Sequence, residues 1–178
     1  MSMSDLLVSY RCGRYGKAKR EIFAALKRLH DDHPVVERTA VDGIAFVRTA
    51  LDGRQVVEGC RALLEQGFLF EDAIKWVPVD YWCEADLPAI RRILLENVRA
   101  RIAPDETWGM QVAKRRWQRY HTEEIVKQLA GAIDRAVDLD HPDKLVHIDV
   151  VGDEVAISVL RSPEVFSAQT SPSTAQPP

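Results

Sequence analysis

Apolar and polar residues along the first 80 positions follow two periods, one typical of strands and the other of helices. Helical spacing predicts one helix over Lys17–His30 and a second that begins at Asp52-Gly53 and stops at Gly67. Short apolar runs predict four strands, at Leu6–Tyr10, Val35–Val41, Ile44–Thr49 and Ala73–Val79.

The order of these elements is β-α-β-β-α-β, which is the order of a ferredoxin-like split βαβ unit. Asp42-Gly43 lies between the second and third strands and is a strong hairpin signal. Pro78 indicates that the fourth strand ends there or lies at an edge, because proline has no N–H for a strand ladder. We therefore predict an N-terminal ferredoxin-like domain over residues 1–80.

Residues 81–166 alternate in a different order, α-β-α-β-β, which predicts a second α/β domain and an α+β protein overall. Asp86 is predicted to cap one helix, with Pro88 in its first turn, and Thr122 to cap another over Glu123–Ala136. The strands are predicted at Thr107–Ala113 and, by strict alternation around a turn at Gly152-Asp153, at 146–150 and 155–159. The polar stretch 167–178 is predicted to be a disordered tail.

Composition limits the class of protein. The chain has 178 residues, of which 46% are hydrophobic and 29% charged, values typical of a soluble globular protein. No apolar run approaches the roughly 18 residues that span a bilayer. Cys12, Cys60 and Cys83 are far apart and lack the spacing of metal ligands, so we expect a reducing, cytoplasmic setting and no metal or cofactor.

Positive charge is concentrated in one short segment of an acidic chain. The net charge is −3, and residues 71–178 contain 13 basic against 18 acidic side chains. Within that acidic half, the segment 114–121 reads Lys-Arg-Arg-Trp-Gln-Arg-Tyr-His and contains no acid. Local charge matters more for steering than the overall balance, because screening limits each field to about 10 Å.

The basic segment lies between a predicted strand and a predicted helix start, a position suited to holding phosphates. Arginine forks contact phosphates, and tryptophan or tyrosine rings can stack on bases. Glu123 and Glu124, which complement the helix dipole, would repel a phosphate at the helix terminus itself. The alternative is a solvated loop whose Trp117 and Tyr120 pack into the core.

Several segments resemble successive signatures of the THUMP domain family and occur in the family's order across about residues 55–166. The turn Asp140-His141-Pro142-Asp143 departs from the family's Asn-Pro-Asp, which leaves position 141 without an assigned role. The segments are Ile74–Asp80, the strand ending in Lys114-Arg115-Arg116, Val137–Asp143, Val146–Val150 and Ala156–Leu160.

The resemblance implies binding of tRNA at the acceptor stem and its single-stranded 3′ end. Proteins of this family usually carry a catalytic domain, and neither the SGGxDS loop of the sulfurtransferases nor the Asp-Pro-Pro-Tyr/Phe motif of the methyltransferases occurs in the sequence. We therefore expect a non-enzymatic adaptor that presents tRNA to a separate modifying enzyme, as the stand-alone THUMP proteins of tRNA acetylation do. Two alternatives stay open: a small RNA-modifying enzyme that uses His121, and a protein-binding module anchored by Trp117 and Tyr120.

The predicted RNA contacts combine the basic segment 114–121 with basic residues at the ends of other predicted strands. A second basic stretch, Arg11–Arg20, is equally well explained as an RNA contact or as a solvated helix start. Gly13-x-x-Gly16-Lys17 is not a phosphate loop, because the first glycine and the final Ser or Thr of that motif are missing. The predicted contacts are Lys75, Lys114, Arg115, Arg116, Arg119, Tyr120, His121 and Arg161.

Overall fold

The computed structural model describes residues 3–115, 117 and 119–168, which form two five-stranded sheets with helices against them. The first sheet has the strand order β10-β4-β1-β3-β2. Its elements in the first 80 residues are β1 (Ser4–Tyr10), α1 (Tyr15–Arg28), β2 (Val35–Arg38), β3 (Ile44–Thr49), α2 (Gly53–Glu65) and β4 (Ala73–Val79).

The predicted β-α-β-β-α-β order is the observed one, and β3 lies between β1 and β2, so the βαβ connection is split by an intervening strand. All neighbouring strands of this sheet are antiparallel. The buried faces of α1 and α2 share one core with the sheet, and Trp76 is fully buried in it. The helix α2 begins at Gly53, as the Asp52-Gly53 signal predicted, and the Asp52 side chain caps it by accepting hydrogen bonds from the backbone N–H groups of Arg54 and Gln55.

The second sheet has the order β5-β9-β8-β6-β7, in which β6 runs parallel to β7 and β8 and the other pairs are antiparallel. The elements of this second unit are β5 (Tyr81–Glu84), α3 (Leu87–Ile93), β6 (Thr107–Arg115), α4 (Thr122–Ala130), β7 (Ala136–Val137), β8 (Lys144–Val151) and β9 (Glu154–Leu160). The helix α3 continues through a π-helical turn, Leu94–Val98, and a 3-10 turn, Arg99–Arg101.

Both predicted boundaries of the helix α4 were wrong, and the strand β5 was not predicted. The helix α4 has His121 rather than Thr122 at its N-cap, and it ends at Ala130, before Gly131. Ala132 and Ile133 remain buried without being helical, which is why the apolar period overran the helix. The short strand β5 follows β4 after one residue and was not predicted. It has only four residues, and Pro78 had indicated the end of the preceding strand.

The C-terminal part of the described chain returns to the first sheet. After a 3-10 turn at Ser162–Glu164, β10 (Phe166–Ser167) pairs antiparallel with β4. Ser167 therefore belongs to a strand, whereas the tail was predicted to begin there; the rest of that prediction, from residue 169 on, lies outside the described residues.

The two units are joined by an apolar cluster and by a hydrogen-bonded arginine. Leu7 and Ile44 of the first sheet pack against Val151 and Ala156 of the second. The guanidinium of Arg54 donates two hydrogen bonds of 2.9 Å to Asp80 and one of 2.8 Å to the carbonyl of Val159. One face of each sheet therefore lies against the other unit.

Candidate nucleic-acid interface

The basic segment 114–121 connects the end of β6 to the start of α4. Lys114 is half-buried, and its ammonium donates a hydrogen bond to the backbone carbonyl of Tyr120, which ties the two ends of the loop together. An ammonium has three donors, so this bond leaves two of them available. Arg116, one of the predicted contacts, lies outside the described residues.

The two aromatic rings of the loop pack on each other and against the core of the second unit. The centroids of Trp117 and Tyr120 are 5.4 Å apart in an edge-to-face arrangement. Both residues are half-buried beside the second core. Arg119 is exposed, and its guanidinium lies 5.5 Å from the centre of the Tyr120 ring.

Arg115 is held by a single long contact to Asp149 on the neighbouring strand β8. Its Nη1 atom lies 3.4 Å from the Asp149 carboxylate, which is 8% exposed, whereas the arginine side chain is 35% exposed. Burial raises the pKa of Asp149, although the positive charges of Arg115 and Lys75 oppose that shift. The contact orients the guanidinium and leaves most of its donors without a carboxylate partner.

Lys75 reaches this region from β4 of the first sheet. The positive charge of Lys75 lowers the pKa values of both Asp149 and His147. These two polar residues lie on the face of β8 that points away from the second core. His147 is buried, and burial together with the charges of Lys75 and Arg115 lowers its pKa from 6.5 to about 4. The imidazole is therefore neutral at physiological pH.

The remaining predicted contacts occupy different places. His121 is exposed at the N-cap of α4 and makes no capping hydrogen bond with its side chain. Arg161 follows Leu160, which pairs with Leu145 near the start of β8, whereas Arg115 pairs with Val151 at the end of that strand. Six residues along a strand correspond to roughly 20 Å, so Arg161 does not share the loop's surface.

Sequence reasoning missed His147 and Asp149. Both alternate with Val146, Ile148 and Val150, a pattern that predicts one apolar and one solvated face. The structure buries both faces, because the first unit covers the polar one. The usable signal was a histidine and an aspartate two residues apart in an otherwise apolar strand.

The second basic stretch lies near the Lys75 strand. The Arg11 backbone N–H donates to the Asp72 carbonyl, three residues before Lys75, and the Arg14 guanidinium is paired with the Asp72 carboxylate. The hydrogen bond from Arg14, together with the smaller effect of the exposed Lys17 and Arg11, holds the pKa of Asp72 below its usual range. Basic groups thus occur on both units around Lys75.

Two of the three cysteines, Cys60 and Cys83, are poorly placed for nucleophilic chemistry, whereas Cys12 is exposed. Burial raises the pKa of the Cys60 thiol to about 12 and that of Cys83 to about 11, so neither is a thiolate at neutral pH. Within the described ranges, no group of His, Cys, Asp and Glu side chains is arranged to hold a metal ion. None of the helices in that part of the chain has the length and apolarity to cross a membrane.

The fold is shared with solved structures of low sequence identity. PH1313 from Pyrococcus horikoshii is 16% identical, with a TM-score of 0.63, over 92% of this chain and 55% of that one. TrmN from Thermus thermophilus is 18% identical, with a TM-score of 0.59, over 89% of this chain and 45% of that one. A 4-thiouridine synthetase–RNA complex with bound ATP is 16% identical, with a TM-score of 0.58, over 93% of this chain and 42% of that one.

This chain therefore spans about half the length of the structures it matches. No curated protein matches the sequence significantly. The family model of the THUMP domain matches residues 84–160, a narrower range than the motifs had indicated, and these residues, from the end of β5 to the end of β9, are a THUMP domain.

Proposed function

We propose that this protein binds tRNA through the loop 114–121 and presents it to a separate modifying enzyme. The observation that carries the proposal is the arrangement of the described loop residues. The Trp117–Tyr120 pair is half-buried and the Lys114–Tyr120 bond joins the two ends of the loop, while Arg119 is exposed and Arg115 is partly exposed. A fixed loop with accessible guanidinium groups binds phosphates without a large loss of conformational entropy.

Arg115 supplies the central phosphate contact in this proposal. Asp149 holds it at 3.4 Å in the free protein, so an approaching phosphate accepts hydrogen bonds from donors that are already oriented. Lys75 adds positive charge from the first unit, and Lys114 and Arg119 extend the surface along the loop. Tyr120 and His121 lie at the loop's end, beside the start of α4.

The comparisons support an RNA-binding role in tRNA modification. Residues 84–160 are a THUMP domain, and the solved structures of similar fold include a 4-thiouridine synthetase in complex with RNA. The similarity extends over both units of the chain, so the basic stretch Arg11–Arg20 is a candidate for a second contact with the same RNA.

The adaptor role is supported by the chemistry of the site. The loop offers positive charge and aromatic rings, which bind and position RNA, whereas the thiols of Cys60, which is buried, and Cys83, which is half-buried, are kept protonated. Binding one tRNA together with an enzyme would raise the local concentration of that enzyme at its target nucleoside.

Two measurements on the purified chain test the proposal. Fluorescence anisotropy with labelled tRNA at several salt concentrations measures binding, and mass spectrometry of nucleosides after incubation with tRNA measures modification. We expect salt-dependent binding and no new modified nucleoside with acetyl-coenzyme A or S-adenosylmethionine as group donor.

A gene-deletion strain gives the complementary result. Its tRNA should lack one modification, which the purified protein restores only together with cell extract. Restoration by the protein and a small-molecule donor alone would replace the adaptor by an enzyme, and affinity for RNA that does not change with salt would favour a protein-binding module instead.

A further inference from the structure

A groove of about 610 Å³ lies where the β2–β3 hairpin of the first unit meets β5 and the β8–β9 turn of the second. The size is that of a typical ligand or peptide side-chain site. The turn and the hairpin loop are in close contact, since a Cβ atom on Gly152 would lie 2.9 Å from the Cβ of Ala40. Both walls are therefore built into the fold.

The floor of the groove is aromatic and apolar. Phe46 and Trp82 are 5.8 Å apart in an edge-to-face arrangement, and Leu7 and Val151 of the inter-sheet cluster lie beside them. The indole N–H of Trp82 donates to Asp5 at 3.0 Å, which fixes the ring. Arg48 lies 5.2 Å from the centre of the Phe46 ring, so this floor already accommodates a guanidinium.

The rim of the groove carries an excess of available negative charge. Glu37, Asp153 and Glu154 are exposed, and in the part of the chain that the structure describes none of them has an ion-pair partner within 4.0 Å. The lining also contains two arginines, Arg38 and Arg48, so its three acids and two bases leave a net charge of −1. Arg48 makes two hydrogen bonds with Asp5, and Arg38 lies 4.1 Å from the centre of the Tyr15 ring.

The three carboxylates without an ion-pair partner disfavour an RNA backbone and favour a cationic ligand. The groove is also close to the basic loop: Arg115 pairs with Val151 on β8, and Val151 pairs with Glu154 on β9. Two strand spacings amount to roughly 10 Å. The second sheet thus has a basic side at β6 and an acidic side at β9 and β5, next to each other.

We propose that the groove defined by Glu37, Phe46, Trp82, Asp153 and Glu154 binds an extended segment of a partner protein that carries lysine and arginine side chains. Cationic side chains would pair with the rim carboxylates and lie over the aromatic floor. This inference deepens the proposed function, because it gives the separate enzyme a docking surface that leaves the basic loop free for tRNA.

The probe is a fluorescein-labelled octapeptide of alternating arginine and alanine, titrated with the full chain. The Asp153→Lys, Glu154→Lys variant should bind it about tenfold more weakly, the equivalent of two weak ion pairs. The matched control is Glu58→Lys, Glu96→Lys, which makes the same charge change at exposed acids that do not line the groove and should change affinity less than about twofold. Glu37→Lys tests the opposite wall if the turn variant does not fold.

Nuclear magnetic resonance of the indole N–H groups locates the peptide. The Trp82 signal, assigned with Trp82→Phe, should shift on peptide addition and the Trp117 signal should not. Equal loss of affinity in both charge-reversal pairs, or a shift confined to Trp117, would overturn the proposal. So would sedimentation showing that a second copy of this chain fills the groove.

Saturating tRNA separates this proposal from the proposed function. Peptide and tRNA should bind together, and Arg115→Ala should weaken only tRNA. Competition between peptide and tRNA would overturn the groove proposal. A chain that binds the peptide at Trp82 but no tRNA would overturn the proposed function and leave the groove standing.

Discussion

Arg54 at the junction of the two units and Arg115 in the basic loop both lie beside a shielded aspartate, but their hydrogen bonds differ greatly. Arg54 makes three bonds of 2.8–2.9 Å to Asp80 and Val159, and its Nε atom lies 3.3 Å from Glu164. Arg115 has one contact of 3.4 Å, to Asp149.

The aspartates reflect this difference. Burial opposes the ionisation of Asp80, yet hydrogen bonds from Arg54 and the Val159 N–H outweigh it and hold the pKa of Asp80 below its usual range. Burial dominates at Asp149, whose pKa is raised. The junction is thus a satisfied network that fixes structure, whereas the loop retains donors for a ligand.

The largest expected effect tests the junction. Arg54→Met should lower the free energy of unfolding by about 3 kcal/mol, because it leaves the Asp80 carboxylate, which is 11% exposed, without its main partner. Denaturant unfolding measures the loss, and tRNA affinity per folded molecule should not change. Arg99→Met is the control: its pair with Asp134 is exposed and should contribute less than about 1 kcal/mol. Equal stabilities of the two variants would contradict the structural role of Arg54.

The second effect concerns the pH dependence of the region around Asp149. The pKa of His147 is lowered from 6.5 to about 4, so the unfolded chain binds a proton more readily than the folded one. The contribution of neutral His147 to the free energy of unfolding is therefore complete above pH 6.5. It is lost as the pH falls to about 4, and this loss is at most about 3 kcal/mol. The raised pKa of Asp149 acts in the opposite direction, since stability is gained as that carboxyl protonates.

The difference between wild-type and His147→Asn stability curves isolates the histidine. Denaturant midpoints between pH 7 and pH 4 should fall more steeply for the wild type. Parallel curves would show that His147 ionises in the folded protein as it does in water.

The contrast between junction and loop shows what the sequence could and could not predict. The start of α2 at Asp52-Gly53 and the β-α-β-β-α-β order depend on local pattern and were predicted correctly. The Asp42-Gly43 turn was placed correctly, but β2 ends at Arg38 and the loop begins at Thr39. The single O–H of Thr39 lies within hydrogen-bonding distance of the Val41 and Ile44 carbonyls, so this side chain interacts with the backbone of the loop. Such local competition for backbone groups is hard to see in a hydropathy pattern.

Long-range contacts account for most of what was missed at the site. The face of β8 that carries His147 and Asp149 is buried because the first unit covers it. The sequence around these two residues gives no indication of that long-range contact. Arg54 gave no signal either: its partners Asp80 and Val159 lie 26 and 105 positions away. The loop itself was recognisable, because its charge and aromatic residues are contiguous in the sequence.

A third effect separates packing from binding within the loop. Trp117→Leu should lower stability by about 2 kcal/mol, because the ring contacts both Tyr120 and the second core. Tyr120→Leu should cost about 1 kcal/mol of tRNA binding, since Tyr120 supports Arg119 and lies at the loop's accessible end. Melting curves and binding isotherms on both variants measure these effects. Loss of affinity without loss of stability in Trp117→Leu would make Trp117 the stacking residue.

The smallest effect is the most specific to the loop. Arg115→Ala should reduce the slope of log affinity against log salt by roughly 0.7–0.9, the value for one phosphate contact, and Arg115→Ala with Arg116→Ala by up to about 2. Arg28→Ala, an exposed arginine near the end of α1, should leave the slope unchanged, as should Arg54→Met in its folded fraction. Isotherms at four salt concentrations, with circular dichroism to confirm folding, give the slopes. A folded Arg115/Arg116 double variant with the wild-type slope would remove the loop as the RNA site. Guanidinium groups that bind phosphates displace the counterions condensed on the RNA, so their loss must lower the slope.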